Sequence, residues 1–458
     1  MSVSGFTPGQ RRTVIMLVIA VVVVFGMLTG FIVTSLERWE SLSPVPVEPA
    51  VSVLDTPRPT STPVPSPMSD EGILYQVQAA RLFDQIAHQV EMLRGLSPRA
   101  EVPLSFLDER EMTALLRQFH QDRDPESQLL PYAALGMLPD TPVSVRAQAV
   151  AGVYVPEQEQ LYVATGRPPS DADDQALLAH AYARSLQDQH FDLEAMDARA
   201  ATTDAALAVR ALVAGDAVLM TALYRYENPA EADWDRLADL AADADQPSYG
   251  AELDRNEAWV RVQRFPYWQG RQFVSEVFRA GGWDAVNQAY TNPPRSTEQV
   301  LHPERFLEEA DGPTRVVVPD VRAVLDEGWD VLVEDTLGEF TVGLYLDTEL
   351  PSEHAWQAAA GWDGDTFVVW EHEDGRRLLV WRTIWDGNAE AVEFEQTLVE
   401  FVIQRYLPAW PLDPPEGLPG RWWETGTGAV SVSRAARYVV FVEAPDPNTL
   451  MNVTEVLP

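Results

Sequence analysis

The chain contains no cysteine. Disulfides, thiolate metal sites and a lipidated amino-terminal cysteine are therefore excluded. Positive charge is scarce: Lys and Arg total 33 against 70 Asp and Glu, a formal net charge of −37. Phosphate binding needs a basic face, so nucleic acid is excluded as a natural partner. The same imbalance disfavours adhesion of the soluble part to anionic lipid, and a solvated surface accounts for the acid. No G-x-G-x-x-G, P-loop or G-x-S-x-G stands in a strand–turn–helix setting, which removes the common nucleotide and serine-hydrolase signatures. No repeat of solenoid period is found.

What is present begins with an uncharged apolar run from Thr13 to Leu36. It is long enough to span a bilayer, with Arg11 and Arg12 before it and Glu37 after it. The expectation is a cytoplasmic tail (1–12), one transmembrane helix (13–36) inserted in the lipid bilayer, and a bulk lying outside the cytoplasm at the cell membrane. A cleaved signal peptide is the alternative; its apolar core is ordinarily shorter and ends in a small-x-small site. Residues 37–69 are rich in Pro, Ser and Thr without apolar periodicity, which predicts an extended linker.

The remaining length suffices for two domains, expected at 70–312 and 313–458. In the first, Ile73, Val77, Ala80, Ala87, Val90 and Leu93 recur at helical spacing. Val102–Leu107 reads as a short strand, Asp108 as the cap of a helix over 109–120, and Gly152–Tyr162 as two short strands around a turn. Asp171–Met196 and Thr203–Tyr226 read as paired alanine-rich helices, with more helix over Trp259–Tyr290. In the second, Val321–Asp347 mixes a helix with a turn into another segment. Thr366–Trp385 reads as a hairpin about Asp374-Gly375, Asn388–Leu407 as a helix and Ser431–Ala444 as a strand region. The fold class is α+β, mainly helical first and then a smaller domain with an antiparallel sheet. His354 and His372 read as surface residues. Gly361–Asp365 and Trp422-Trp423 could face a carbohydrate or aromatic ligand, but turn and core roles fit them better.

The stretch with most chemical content is His180-Ala181-Tyr182-Ala183-Arg184. A helix bearing H-E-x-x-H places two imidazoles one turn apart, with a glutamate between them to deprotonate a zinc-bound water. Here the first His is His180, the glutamate position is Ala181 and the second His position is Arg184. A guanidinium is always charged and cannot act as a ligand.

The whole segment LLAHAYARSLQDQHFDLEAM (Leu177–Met196) resembles bacterial, membrane-anchored zincin-like metallopeptidases of gluzincin type, in which H-E-x-x-H runs into A-L-Q-D-Q-H-F-D-L. That family continues with E-G-D-A, whose glutamate is the third zinc ligand; this chain has Ala214-Gly215-Asp216-Ala217. Phe265–Val274, Gly281–Tyr290 and Pro293–Phe306 look like later segments of the same family, so the resemblance covers the middle of the chain.

The resemblance implies a zincin-like scaffold with vestigial positions His180, Ala181, Arg184 and Ala214 and no metal, cofactor or catalytic residue. One imidazole does not hold zinc against water. The expected function is a pseudopeptidase that binds a peptide or protein in the former active-site groove without hydrolysis. Alternatives are a hydrolase with a relocated metal site, for example His180, His190, Glu298 and His302, and a structural envelope protein. In place of the metal, Arg184 could supply positive charge to Asp188, Asp216 or Glu298. As a lone histidine before a proline, His302 reads as structural.

Overall fold

The computed structural model describes residues 70–108, 110–115, 125–138, 152–164, 172–225, 257–308 and 311–457. The tail, the transmembrane run and the linker expected over 1–69 lie outside them.

Helix α1 (Asp70–Arg94) buries Ala79, Phe83, Ile86, Ala87 and Val90, while Val77 is 44% exposed. The buried stripe is therefore rotated from the one expected, and its next member is Arg94, 1% exposed. The sequence offers two apolar faces; docking chooses the one whose Phe83 meets Tyr182 edge-on at 5.4 Å. At Asp108 the expected cap is present: its carboxylate accepts from the backbone N–H of Arg110 and Glu111, and Glu111 accepts from the Asp108 N–H, each at 2.8 Å. This is a reciprocal capping box.

Strand β1 (Leu104–Leu107), helix α2 (Pro125–Ala134), and strands β2 (Gly152–Val155) and β3 (Gln160–Ala164) follow. The strands form a sheet of order β1-β3-β2, with β1 parallel and β2 antiparallel to β3. Helix α3 (Ala172–Phe191) lies against β2, where Gly152 leaves room only for the Leu178 side chain. A short α4 (Leu193–Arg199) leads to α5 (Thr203–Arg225), which pairs with α6 (Glu257–Thr291).

Helices α5 and α6 touch backbone to backbone: a Cβ on Gly215 would strike the Gly270 carbonyl, and one on Gly270 would strike the Ala211 carbonyl. Helix α6 is two helices joined by a kink at Gly281 and Gly282, the latter at φ 64°. By length and composition α5 could cross a membrane, but 83% of its apolar window is buried in the protein. It is the central core helix of this half.

Two short helices, α7 (Thr297–Leu301) and α8 (Pro303–Leu307), precede the C-terminal part. There follow β4 (Trp329–Asp335), α9 (Gly338–Asp347), α10 (Ser352–Ala359), β5 (Trp362–His372), β6 (Arg377–Trp385), α11 (Asn388–Arg405), β7 (Trp410–Leu412), β8 (Arg421–Glu424), β9 (Ala429–Ala435), β10 (Tyr438–Ala444) and α12 (Pro447–Val456). The strands make one seven-stranded, wholly antiparallel sheet of order β4-β5-β6-β10-β9-β8-β7.

Side chains alternate across the β5–β6 hairpin. Phe367, Val369, Leu379 and Trp381 belong to the core under α9–α11. Val368, Trp370, Leu378 and Val380 pack with Leu450 and Val453 of α12 on the opposite face. Both faces are covered, so the strands read as nearly continuous apolar runs.

Three segments take definite form. Within Val321–Asp347 strand β4 precedes helix α9. The strand region Ser431–Ala444 is two strands, turning at Ala436 with φ 52°. In Gly361–Asp365, β5 starts at the fully buried core residue Trp362, with a register shift between Trp362 and Gly364. The largest core also joins Leu212 and Phe265 to Phe340, Trp381 and Phe401, so apolar packing is continuous across residue 313.

Candidate functional site

The helix that would carry a metal is packed shut. On α3, His180 is fully buried and its Nδ1 lies 3.3 Å from the Thr221 hydroxyl on α5. Thr221 donates its own proton to the Ala217 carbonyl at 2.6 Å, so Nδ1–H is the donor to Thr221. Ala181 is 2% exposed and Ala214 5%. Ala214 sits among Val218, Tyr267 and Trp268. Methyl groups occupy the two positions that the resemblance implies for a base and a third ligand. The residues present do not fit the metal.

Arg184 is half-buried, and its charge acts on the phenols of Tyr154 and Tyr290. The cation that meets Asp216 is instead Arg94, a residue the sequence analysis missed. Its guanidinium donates Nε to Oδ1 at 2.7 Å and Nη2 to Oδ2 at 2.9 Å, and Nη2 also donates to Asn287 at 2.8 Å. Tyr290 donates its hydroxyl to Asp216 Oδ2 at 2.7 Å, and Arg94 stacks 4.2 Å over the Trp283 ring. Burial opposes the Arg94 charge, but Asp216 and Tyr290 outweigh it and hold the guanidinium above its ordinary range. Burial and the Asp216 carboxylate push the Tyr290 hydroxyl well up, so it stays a donor. The signal was legible in part, since Arg94 is the next position of the buried α1 stripe.

The other proposed partners of Arg184 are engaged elsewhere. Asp188 accepts from the Tyr154 hydroxyl at 2.7 Å and the Leu193 N–H at 3.2 Å. Glu298 lies at the start of α7, with its Oε1 3.0 Å from Arg305. The histidines do not converge either: His190 donates to the Ser97 carbonyl at 2.8 Å, and His302 donates to Glu339 at 2.9 Å. Among the described residues no three His, Cys, Asp or Glu side chains have a geometry that could hold a metal ion. His354 is 40% exposed at its side chain as expected, whereas His372 is only 14% exposed and packs 5.3 Å from Trp329. Trp422 and Trp423 are core residues at 3% and 5% exposure.

Acid chemistry concentrates instead where α5, α7 and α8 meet the C-terminal part. Asp335 caps α5 from β4: it accepts from the Thr203 N–H at 2.9 Å and also from the Thr203 hydroxyl. Asp204 accepts from the Thr297 N–H at 2.9 Å and hydroxyl at 2.6 Å, and burial raises its carboxyl well above the usual range. Asp365 accepts from Trp362 and Trp381 Nε1 at 2.9 and 3.0 Å and from the Leu337 and Gly338 N–H groups that open α9. Burial outweighs these four donors and lifts Asp365 to about 6. Asp204 and Asp365 are buried and Asp335 is partly so, and each accepts hydrogen bonds that join separate elements.

One open cleft lies at the same junction. It has a volume of about 350 Å³ and is lined by Tyr132, Thr203, Arg210, Trp259, Gln263 and Asp335 among others. Tyr132 and Trp259 meet edge-on at 5.5 Å beneath it, and Arg210 pairs with Asp197 at 3.1 Å on its rim. The cleft therefore combines an aromatic base with hydrogen-bonding walls of both charge signs.

No curated protein and no solved structure matches the chain. Residues 328–454, from just before β4 into α12, match a domain of unknown function (DUF8575).

Proposed function

We propose that the chain is a membrane-anchored, extracytoplasmic pseudopeptidase: a zincin-like helical scaffold that binds a peptide or protein and does not hydrolyse it. The anchor is the apolar run Thr13–Leu36. The observation that carries the loss of hydrolysis is the packing of the centre itself. Ala181 and Ala214 are buried, His180 is spent on Thr221, and Asp216 is clamped by Arg94. Ala181 offers no carboxylate at the position the resemblance gives to the water-activating base, and the His180 imidazole is at zero exposure.

The binding seat favoured by this reading is the cleft between α5, α6 and β4, one helical turn from Ala214 at Arg210. The test is metal content and peptidase activity of full-length protein purified with zinc present throughout. The reading expects no stoichiometric zinc, and no chelator-sensitive cleavage of a mixed peptide library. Stoichiometric zinc with chelator-sensitive cleavage overturns it.

A further inference from the structure

The helices α7 and α8 meet the C-terminal part through a set of titratable side chains that no metal or catalytic reading uses. Four carboxyl groups, those of Glu298, Asp311, Glu339 and Asp386, surround the Arg305 guanidinium, and a fifth, Glu304, faces His302. The chain contains no lysine, so no further ammonium group is available to balance them. Two other guanidinium groups border the set: Arg437 reaches Asp363 at 3.4 Å and the Asp386 carbonyl at 3.2 Å, and Arg295 packs against Gly312, next to Asp311.

We propose that this junction is a proton-tightened latch, which holds the C-terminal part against α7 and α8 in acid and loosens as pH rises.

The geometry supports this from both sides of the junction. From the helical side, Glu298 is 2% exposed, and its Oε1 lies 3.0 Å from Arg305 Nη1 without an aligned hydrogen bond. Arg305 must divide itself among Glu298, Asp311 at 3.2 Å and Asp386. From the C-terminal side, Glu339 in the first turn of α9 is 4% exposed; its Oε1 accepts a hydrogen bond from His302 Nε2 at 2.9 Å and its Oε2 accepts none among the described residues. The second imidazole nitrogen of His302 faces Glu304 at 3.9 Å. A buried carboxylate without donors is costly, and protonation removes the cost.

Glu298, Glu339 and His302 all shift upward. Burial, helped by Glu339, Asp386 and Asp311, lifts the Glu298 carboxyl to about 9 against the pull of Arg305. Burial likewise raises Glu339, against the pull of His302. The hydrogen bond to Glu339 raises His302, although desolvation works against it. A carboxyl raised in the fold keeps its proton where the unfolded chain has lost it. Its stabilisation is complete below the unfolded value of about 4.3 and is lost as pH climbs towards the folded value. For His302 the contribution is complete below about 6.5 and is lost as pH passes its higher folded value. The latch therefore weakens between mildly acid and alkaline pH.

The experiment uses the full-length protein in detergent and reads the thermal midpoint at pH 5.5 and 8.5 for wild type, Glu298→Gln and His302→Gln. Amide exchange over 297–307, corrected for its intrinsic pH dependence, is read alongside. The amide of Glu298→Gln imitates the protonated acid: its midpoint should exceed that of wild type at both pH values, and by clearly more at pH 8.5 than at pH 5.5. His302→Gln should lose stability at pH 5.5 and little at pH 8.5. Wild-type exchange over 297–307 should quicken at pH 8.5 relative to the β5–β6 hairpin. A Glu298→Gln midpoint shifted equally at both pH values overturns the proposal. If that variant does not fold, an equal loss in His302→Gln at both pH values, or exchange over 297–307 that tracks the hairpin, overturns it.

Discussion

Arg94 closes on Asp216 with two near-parallel hydrogen bonds of 2.7 and 2.9 Å, across 122 residues of chain, and neither side chain is more than 1% exposed. The pair ties α1 to α5, while Tyr290 and Asn287 bring in α6. A buried ion pair is weak evidence of stability, but removing one partner strands the other charge. Arg94→Leu should therefore destabilise the fold by about 3–5 kcal/mol. The double variant Arg94→Leu/Asp216→Leu should lose far less than the sum of the two single variants. Chemical denaturation of all three proteins checks this; additive losses would show that the pair does not act as a unit.

Zinc binding should be recoverable if the resemblance reflects geometry. Ala181→Glu, Arg184→His and Ala214→Glu together restore the base and two ligands about His180. The triple variant is expected to hold stoichiometric zinc that wild type does not hold, as read by metal analysis after dialysis. A metal-free, folded triple variant would count against a zincin-like arrangement of α3 and α5.

The absence of cysteine makes sidedness directly readable. Ser4→Cys and Ser352→Cys each introduce one thiol, the first before the apolar run and the second at the exposed start of α10. In intact cells an impermeant maleimide should label Ser352→Cys and spare Ser4→Cys until the membrane is opened. The reverse pattern would invert the proposed orientation.

Close approach of α5 and α6 leaves no volume at Gly215. Gly215→Ala puts a methyl against the Gly270 backbone, which cannot swing aside as a side chain would. The expected cost is about 1–3 kcal/mol, the scale of overpacking, seen as a lower thermal midpoint. An unchanged midpoint would mean that the two helices separate freely.

Asp365→Asn should be destabilising at every pH, because an amide accepts through one oxygen where four donors converge. The wild-type carboxyl, raised to about 6 by burial, contributes most below its unfolded value of about 3.9 and loses that contribution as pH passes 6. The stability gap between wild type and variant should accordingly narrow from pH 4 to pH 7. A widening gap would mean that the donors, rather than burial, set its acidity.

Local pattern made much of the fold legible. The Asp108 capping box, the hairpin about Asp374-Gly375 and helix α11 rest on short-range spacing, and each has its expected place. The face of α1 was not legible, because two apolar stripes compete and only the contact with Tyr182 decides between them. Nor was the turn at Ala436, where a non-glycine residue adopts φ 52° without the usual turn residues. At the candidate site, alanines at 181 and 214 could be read directly as standing where the resemblance implies a base and a third ligand, but the destination of Asp216 could not. Its partner is 122 residues away, and charge alone made Arg184 look as suitable as Arg94. The acids at 204, 335, 339 and 365 resemble surface residues in a chain this acidic; their burial follows from strand and helix ends that meet only in three dimensions.

The capping of α5 by Asp335 also bears on the order of synthesis. The first turn of that helix is completed by a carboxylate made 132 residues later, on a strand that belongs to the other end of the molecule. While the chain emerges from the ribosome, the N-terminal helices can gather but the start of α5 must remain hydrated. The central helix of the first half is finished only when β4 arrives, so maturation of this protein is set by its last third.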